Sequence, residues 1–181
     1  TYASDWAQNT WQGKLYGQTF QSNPSVIFYS KDAFDKAQLP YPPQKWGDPS
    51  WTWDAFVNVC QKLSSGVGTN KVFAFSQNLW WVYYQPWIWS NGGSVLNQQM
   101  TKSTISDGAS VDALQWMVDL LHKYHVMPLA TDIPKGANAA FGAGQLAMFN
   151  NIPALIPDLI TAAPHVKWDV APYPSKNGKV V

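Results

Sequence analysis

The chain has 181 residues, 46% of them hydrophobic, and a net charge of +1. That much apolar material supports one sizeable packed domain and excludes a disordered chain. No basic stripe offers a nucleic-acid surface, and no apolar run reaches membrane-spanning length.

The opening TYASDWAQNTWQGKLYG carries neither an initiator Met nor a targeting segment, and the closing YPSKNGKVV has no helix cap or tail. Both ends read as interior sequence, so a domain excised from a longer chain is expected. GKLYGQTF and SVIFYS are two apolar-rich extended runs, separated by Gln21–Pro24. Pro24 removes a backbone donor and biases Asn23 toward an extended conformation. KDAFDKAQ reads as a short helix and LPYPPQKWGDPS as a proline-rich loop. WTWDAFVNVCQKLSSG is an amphipathic helix, with Thr52 as N-cap, Asp54 in the first turn and Gly66 past the end. Cys60 shares a helix face with Phe56, Val59 and Leu63, which predicts a buried, inert thiol.

KVFAFS is a predicted strand. The aromatic run after it is a predicted helix closed by Gly92 and Gly93, with a kink or late start at Pro86. SVLNQQMTKSTI suggests a small hairpin. In SDGASVDALQWMVDLLHKYHVMP, the residues Val111, Leu114, Val118, Leu121 and His125 follow helical spacing. GANAAFGAG is a short helix, QLAMF a strand, NNIPALIPDLITAAP the start of a helix, and VKWDVAP a last strand. Alternating strands and helices place the chain in the α/β class.

All 11 acidic residues are Asp and all 12 basic residues are Lys, while amides are abundant. A surface poor in ionised carboxylates has little stability to lose on protonation. This fits an exported protein facing an acidic medium; drift in composition is the alternative.

Reaction motifs are missing. The three histidines are His122, His125 and His165, and no Glu exists to complete a zinc protease helix. GGSVL lacks the last glycine of a nucleophile elbow. GVGTNK and GAG sit at helix ends leading into strands, the reverse of a phosphate loop. Asp54, Asp107 and Asp112 mark helix starts, Asp32 and Asp35 a surface helix, and Asp169 an outward strand position. None lies in the aromatic cluster, so the carboxyl pair of a glycosidase is not apparent. The expectation is a protein without catalysis, metal or cofactor.

What remains is NLWWVYYQPWIWSNGG, where six of the sixteen residues from Asn78 to Gly93 are Trp or Tyr. Helical spacing puts Trp80, Tyr84 and Trp87 on one side, with Tyr83 at its edge and Trp81 and Ile88 on another face. One set can pack on the sheet; the other faces a cleft or solvent. Apolar sugar-ring faces stack on such rings, and their hydroxyls take amide partners at the rim. Asn23, Ser76, Gln77, Asn78, Asn150 and Asn151 fall at strand ends or helix starts, where α/β sheets form ligand crevices. For any one of these aromatics a place in the core is as good a reading.

GKLYGQTFQSNPSVIFYSKDAFDKAQLPYPPQKW resembles the pattern "GKLYGLP…YNKDLFDKAGL…PP.TW" of the extracellular sugar-binding proteins of ABC importers, the group that includes maltose-binding protein. TWDAFVNVCQKL, WSNGG, ALQWMVDLLHKYHVMP and AAFGAGQLAM resemble further motifs of that family, in the same order along nearly the whole chain. The resemblance implies one lobe, the second, of a two-lobed periplasmic-binding-protein-like (type II) fold, with a mixed sheet flanked by helices. Residues 1–181 then form a single α/β lobe, with hinge-crossing strands near 17–25 and 170–174. The implied partners are a sugar or oligosaccharide, the first lobe of the same chain and an ABC permease, without nucleic acid. The implied location is extracellular or at the cell surface, with export signal and any lipid anchor outside this segment.

The family's hinge contact falls near Asn23 and its aromatic platform on Trp80–Tyr84. The implied ligand contacts are Ser22, Asn23, Trp80, Trp81, Tyr83, Tyr84, Asn150 and Asn151. The family's "GPW" triplet is replaced by Ile152-Pro153-Ala154, so that stacking Trp is missing. The alternative reading from another class is a polysaccharide-processing enzyme domain with an aromatic-lined groove, which two buried, paired Asp would favour. A third is an interaction domain, which a fully packed Trp80–Tyr84 segment would favour.

Overall fold

A computed structural model describes residues 3–176 and residue 178. A helix α1 (Ala3–Gln8) and a two-stranded hairpin, β1 (Thr10–Trp11) with β2 (Lys14–Leu15), open the chain outside the main sheet. The hairpin turn needs left-handed backbone at Gln12 and Gly13 (φ 48° and 75°). Then come β3 (Val26–Ser30), α2 (Lys31–Lys36) and α3 (Trp53–Leu63). Next are β4 (Phe73–Ser76), α4 (Trp81–Ser90) and α5 (Gly108–His122). The chain closes with α6 (Gly136–Gly142), β5 (Leu146–Asn151), α7 (Ile156–Ala162) and β6 (Trp168–Ala171).

The main sheet has the order β4-β5-β3-β6. β4 and β5 are parallel, while β3 runs antiparallel to β5 and to β6. This is the mixed α/β architecture expected from the sequence. All five residues of β3 are buried, as a strand covered on both faces requires. Ile27 and Tyr29 point into a core shared with α3, α4 and α5; Val26 and Phe28 point into another shared with α6 and α7.

Local chemistry explains the element starts. Thr52 Oγ1 accepts the Ala55 N–H at 3.2 Å, and Ser30 Oγ accepts the Ala33 N–H at 3.2 Å, each capping a helix. Cys60 is fully buried on α3, and burial pushes its thiol pKa well up. Pro86 lies inside α4 and is tolerated at the cost of one ladder bond. Gly93 closes the turn after α4. A Cβ there would stand 2.6 Å from Ser110 Oγ and 2.9 Å from Ile88 Cγ2, so the glycine lets α5 approach.

Several expectations need correction. Residues 17–25 form no strand; sheet pairing begins at Val26, because no neighbouring strand meets them and Pro24 has no N–H to give. Of the segment 170–174, expected as the return crossing, only residues to Ala171 are strand, since Pro172 and Pro174 break the ladder. The SVLNQQMTKSTI hairpin reduces to an isolated Leu96–Ser103 bridge, wrapped around the Asn97 side chain. On α5 the buried residues are Ser110, Ala113 and Leu120, not the stripe through Val111 and Val118, which are exposed. Ser110 of α5 meets Gly93, and Trp116 stacks on Trp53 with ring centroids 4.2 Å apart. His125 lies beyond that helix in left-handed backbone (φ 54°), and both it and His122 are exposed. Asn150 and Asn151 end β5 rather than starting a helix.

Candidate functional site

Strand directions decide which loops meet. β4, β5 and β6 end at the sheet edge where β3 begins. Ser22–Ser25, Gln77–Trp81, Asn150–Ile152 and Tyr173 therefore share one edge, with α4 starting there.

Asn150 is buried and ties these segments together. Its Oδ1 accepts the Asn78 N–H at 2.8 Å, and its Nδ2 donates to the Tyr83 carbonyl at 3.2 Å and the Tyr173 hydroxyl at 2.9 Å. Asn78 Oδ1 in turn accepts the Trp80 N–H at 3.0 Å, holding the turn before α4. Gln77 is also buried. Its Nε2 donates to the Tyr83 carbonyl at 3.1 Å, and its Oε1 accepts the Trp87 indole N–H at 2.8 Å. The Tyr83 hydroxyl donates to Asn151 Oδ1 at 2.8 Å, and that oxygen also accepts the Ile152 N–H at 2.9 Å.

The expected ligand residues thus separate into two groups. Trp80 (62% exposed) and Trp81 (50% exposed) present open indole rings, with Leu79 and Asn78 also exposed beside them. Trp80 does not share the inner helix side with Trp87, because α4 begins only at Trp81 and Trp80 is its non-helical N-cap. Tyr83 (4% exposed) and Asn150 (1% exposed) are inside, and Tyr84 is half-buried against the core. With both faces of its amide occupied, Asn150 supports the edge and has no free group for a ligand. Asn151 and Asn23 are half-buried, and Ser22 is exposed. The Asn151 Oδ1 is held by the Tyr83 hydroxyl and the Ile152 N–H.

Sequence reasoning passed over Tyr173 and the supporting role of Gln77. Tyr173 is flanked by Pro172 and Pro174, so an aromatic that neither strand nor helix explains was the available signal. Its ring meets Trp87 edge-on at 4.8 Å. Burial raises the pKa of the Tyr173 and Tyr83 hydroxyls, so both stay protonated donors at neutral pH.

The network around Asn150 contains no charged side chain. Among the described residues, Asp5 is the buried Asp, and no second Asp is buried with it. Asp169 pairs with Lys31 at 2.8 Å on the outer strand β6. No group of three or more metal-ligating side chains is assembled among the described residues. A separate 550 Å3 cleft opens where β3 ends, between Lys36, Lys62 and Phe141, and shares no residue with the aromatic edge.

Comparison with known proteins gives this geometry a context. Residues 1–181 match the family described as bacterial extracellular solute-binding protein. A binding protein of Brucella abortus (strain 2308) is 26% identical over 166 residues, covering 90% of this chain and 38% of its own. An ABC substrate-binding protein of Listeria monocytogenes, solved in complex with cycloalternan, superposes with a TM-score of 0.81 at 28% identity. The match covers 97% of this chain and 43% of that one. An ABC transporter solute-binding protein of Thermotoga lettingae, bound with α-D-tagatose, has a TM-score of 0.77 at 22% identity, over 99% of this chain and 46% of that one. The chain thus spans less than half the length of these proteins, the extent of one lobe.

Proposed function

Because this chain belongs to the bacterial extracellular solute-binding proteins, we propose that it forms the second lobe of an ABC importer's carbohydrate receptor. The observation that carries this reading is the pair of open indoles, Trp80 and Trp81, on an edge whose polar groups are amides and hydroxyls. An indole face suits the apolar C–H face of a sugar ring, and Asn151, Asn23 and Ser22 suit its hydroxyls. Residues 78–93 include no charged side chain, which matches a neutral ligand rather than a phosphate or carboxylate.

The receptor captures a sugar or oligosaccharide between two lobes and delivers it to a membrane permease. Segments 17–25 and 170–174 are the crossings between lobes. The exposed Trp6, Trp11, Leu15, Tyr16 and Phe20 support this assignment, because such a run of open apolar side chains suits a surface covered by the first lobe. The receptor is exported and works outside the cytoplasm, and the absence of Glu suits an acidic setting. It binds without transforming its ligand, and the uncharged network behind the platform supports that over a polysaccharide-processing enzyme.

Calorimetry with the full-length protein against a panel of neutral mono- and oligosaccharides tests the proposal. At least one sugar should bind at micromolar concentration, with no hydrolysis product. The isolated Thr1–Val181 segment should bind that sugar far more weakly, since one lobe supplies part of the contacts; a loss of about 4 kcal/mol takes micromolar binding to about millimolar. Tight binding of an anionic solute, or of no sugar in the panel, would sink the reading.

A further inference from the structure

Tyr173 carries a hydroxyl where a buried phenyl ring would fill the same space. It is 4% exposed and packed edge-on against Trp87. Burying that hydroxyl costs free energy unless it is partnered. Its partners are Ser25 Oγ at 2.7 Å and Asn150 Nδ2 at 2.9 Å, with the Tyr83 carbonyl further away at 3.4 Å. The Asn150 amide donates to the phenol oxygen; the phenol proton can go to Ser25 Oγ or to the Tyr83 carbonyl, and in the second case the Ser25 hydroxyl donates to the phenol.

These partners come from different parts of the chain. Ile27 pairs with Ala171 in the β3–β6 ladder, so Ser25 and Tyr173 face each other where that register runs on past the last paired residues. They mark the points where the incoming and outgoing segments meet the sheet. Asn150 then connects this junction to the Asn78 N–H and the Tyr83 carbonyl, the two ends of the turn that carries Trp80 and Trp81. The outgoing segment is itself fixed from below. Trp51 Nε1 donates to the Pro172 carbonyl at 3.0 Å, and Ser175 N donates to the Trp51 carbonyl at 2.8 Å.

We infer that Tyr173 is a positioning residue for the ligand platform: through Asn150 its hydroxyl sets the Asn78–Tyr83 turn, and through Ser25 it locks that turn to the incoming chain segment. This rests on the proposed sugar-binding role of Trp80 and Trp81. Tyr173 does not touch the ligand. It makes the orientation of the indoles depend on the relative placement of the two segments entering and leaving the sheet. Movement of those segments is then felt at the platform through two hydrogen bonds.

The test uses the full-length protein carrying Tyr173→Phe, with Ser25→Ala as the milder variant that removes a single bond and preserves the fold. Without ligand, amide hydrogen exchange at Asn78 and Trp80 should quicken about tenfold in either variant, while exchange in the centre of β3 stays unchanged. With the best-binding sugar of the panel, affinity should fall about tenfold. In the double variant with Trp81→Ala it should fall no further than with Trp81→Ala alone. A merely structural role would lower the melting temperature and leave the exchange pattern of the turn intact. Unchanged exchange at Asn78 and Trp80, or fully additive losses in the double variant, overturns the inference. Failure of the parent protein to bind any sugar overturns the functional reading alone, because the exchange measurement needs no ligand.

Discussion

Removing Trp81 tests the proposed platform directly. Half of its surface is open, and its neighbours in α4 are held by Tyr83 and Asn150 rather than by the indole itself. An indole offers about 200 Å2 of contact surface. A sugar ring stacked on the open half covers ~60–100 Å2 of it, worth ~1.5–2.5 kcal/mol at about 25 cal/mol per Å2. Trp81→Ala in the full-length protein should therefore weaken sugar binding roughly 10- to 60-fold. Folding stability should move little, within about 0.5 kcal/mol, as for other exposed positions. Trp87→Ala is the contrast. That side chain is fully buried among Trp53, Phe56 and Tyr173, and its loss should cost about 3–5 kcal/mol of stability. Calorimetric titration gives the affinity, and a denaturant melt of the same sample gives the stability. If Trp80→Ala and Trp81→Ala both leave affinity untouched while lowering stability, the indoles belong to an interface other than the ligand cleft.

Gly93→Ala should destabilise the fold by about 1–3 kcal/mol through overpacking, since the added carbon meets Ser110 and Ile88; a chemical melt checks this. Cys60 should resist thiol reagents in the folded protein and react fully only in denaturant, which mass spectrometry of labelled samples reads out. Acid should matter little until low pH. Burial works against ionisation of Asp169, yet hydrogen bonds from the Lys31 ammonium and the Val170 N–H hold its pKa below the usual carboxylate range, as the Ser50 hydroxyl and N–H do for Asp48. Stability from these groups is present above the unfolded value of about 4 and is lost as pH falls through the lower folded one. The melting temperature should hold from neutral pH to about 4 and decline below; a steep loss already at about pH 5 would refute this. Alkali acts in the opposite sense. Burial, then the Asp169 charge, push Tyr29 up to about 12, and burial raises Tyr173 as well. Their contribution is complete below the unfolded phenol value of about 10 and disappears as pH rises through the folded values. Circular dichroism should therefore show stability falling above about pH 10.

Local chemistry carried much of the fold. The Thr52 cap, the α3 stripe with Cys60 inside, the run VIFYS and the aromatic helix are written in neighbouring residues, because capping and hydrophobic spacing act over a few positions. The surplus of aromatics between Asn78 and Gly93 is likewise legible in the sequence alone. Other features depended on distant partners. Residues 17–25 look like a strand but have no neighbour to pair with, and a strand exists only as part of a ladder. The buried side of α5 was set by Gly93 and Trp53, from elsewhere in the chain, and not by its own apolar count. The division of the aromatic stretch was likewise a tertiary decision. Trp80 and Trp81 are open while Tyr83 and Trp87 are closed, because Gln77, Asn150 and Tyr173 fix where α4 begins and which side meets the sheet. Sequence spacing says that a helix has faces, and only the long-range hydrogen bonds of the sheet edge decide which of them is left open.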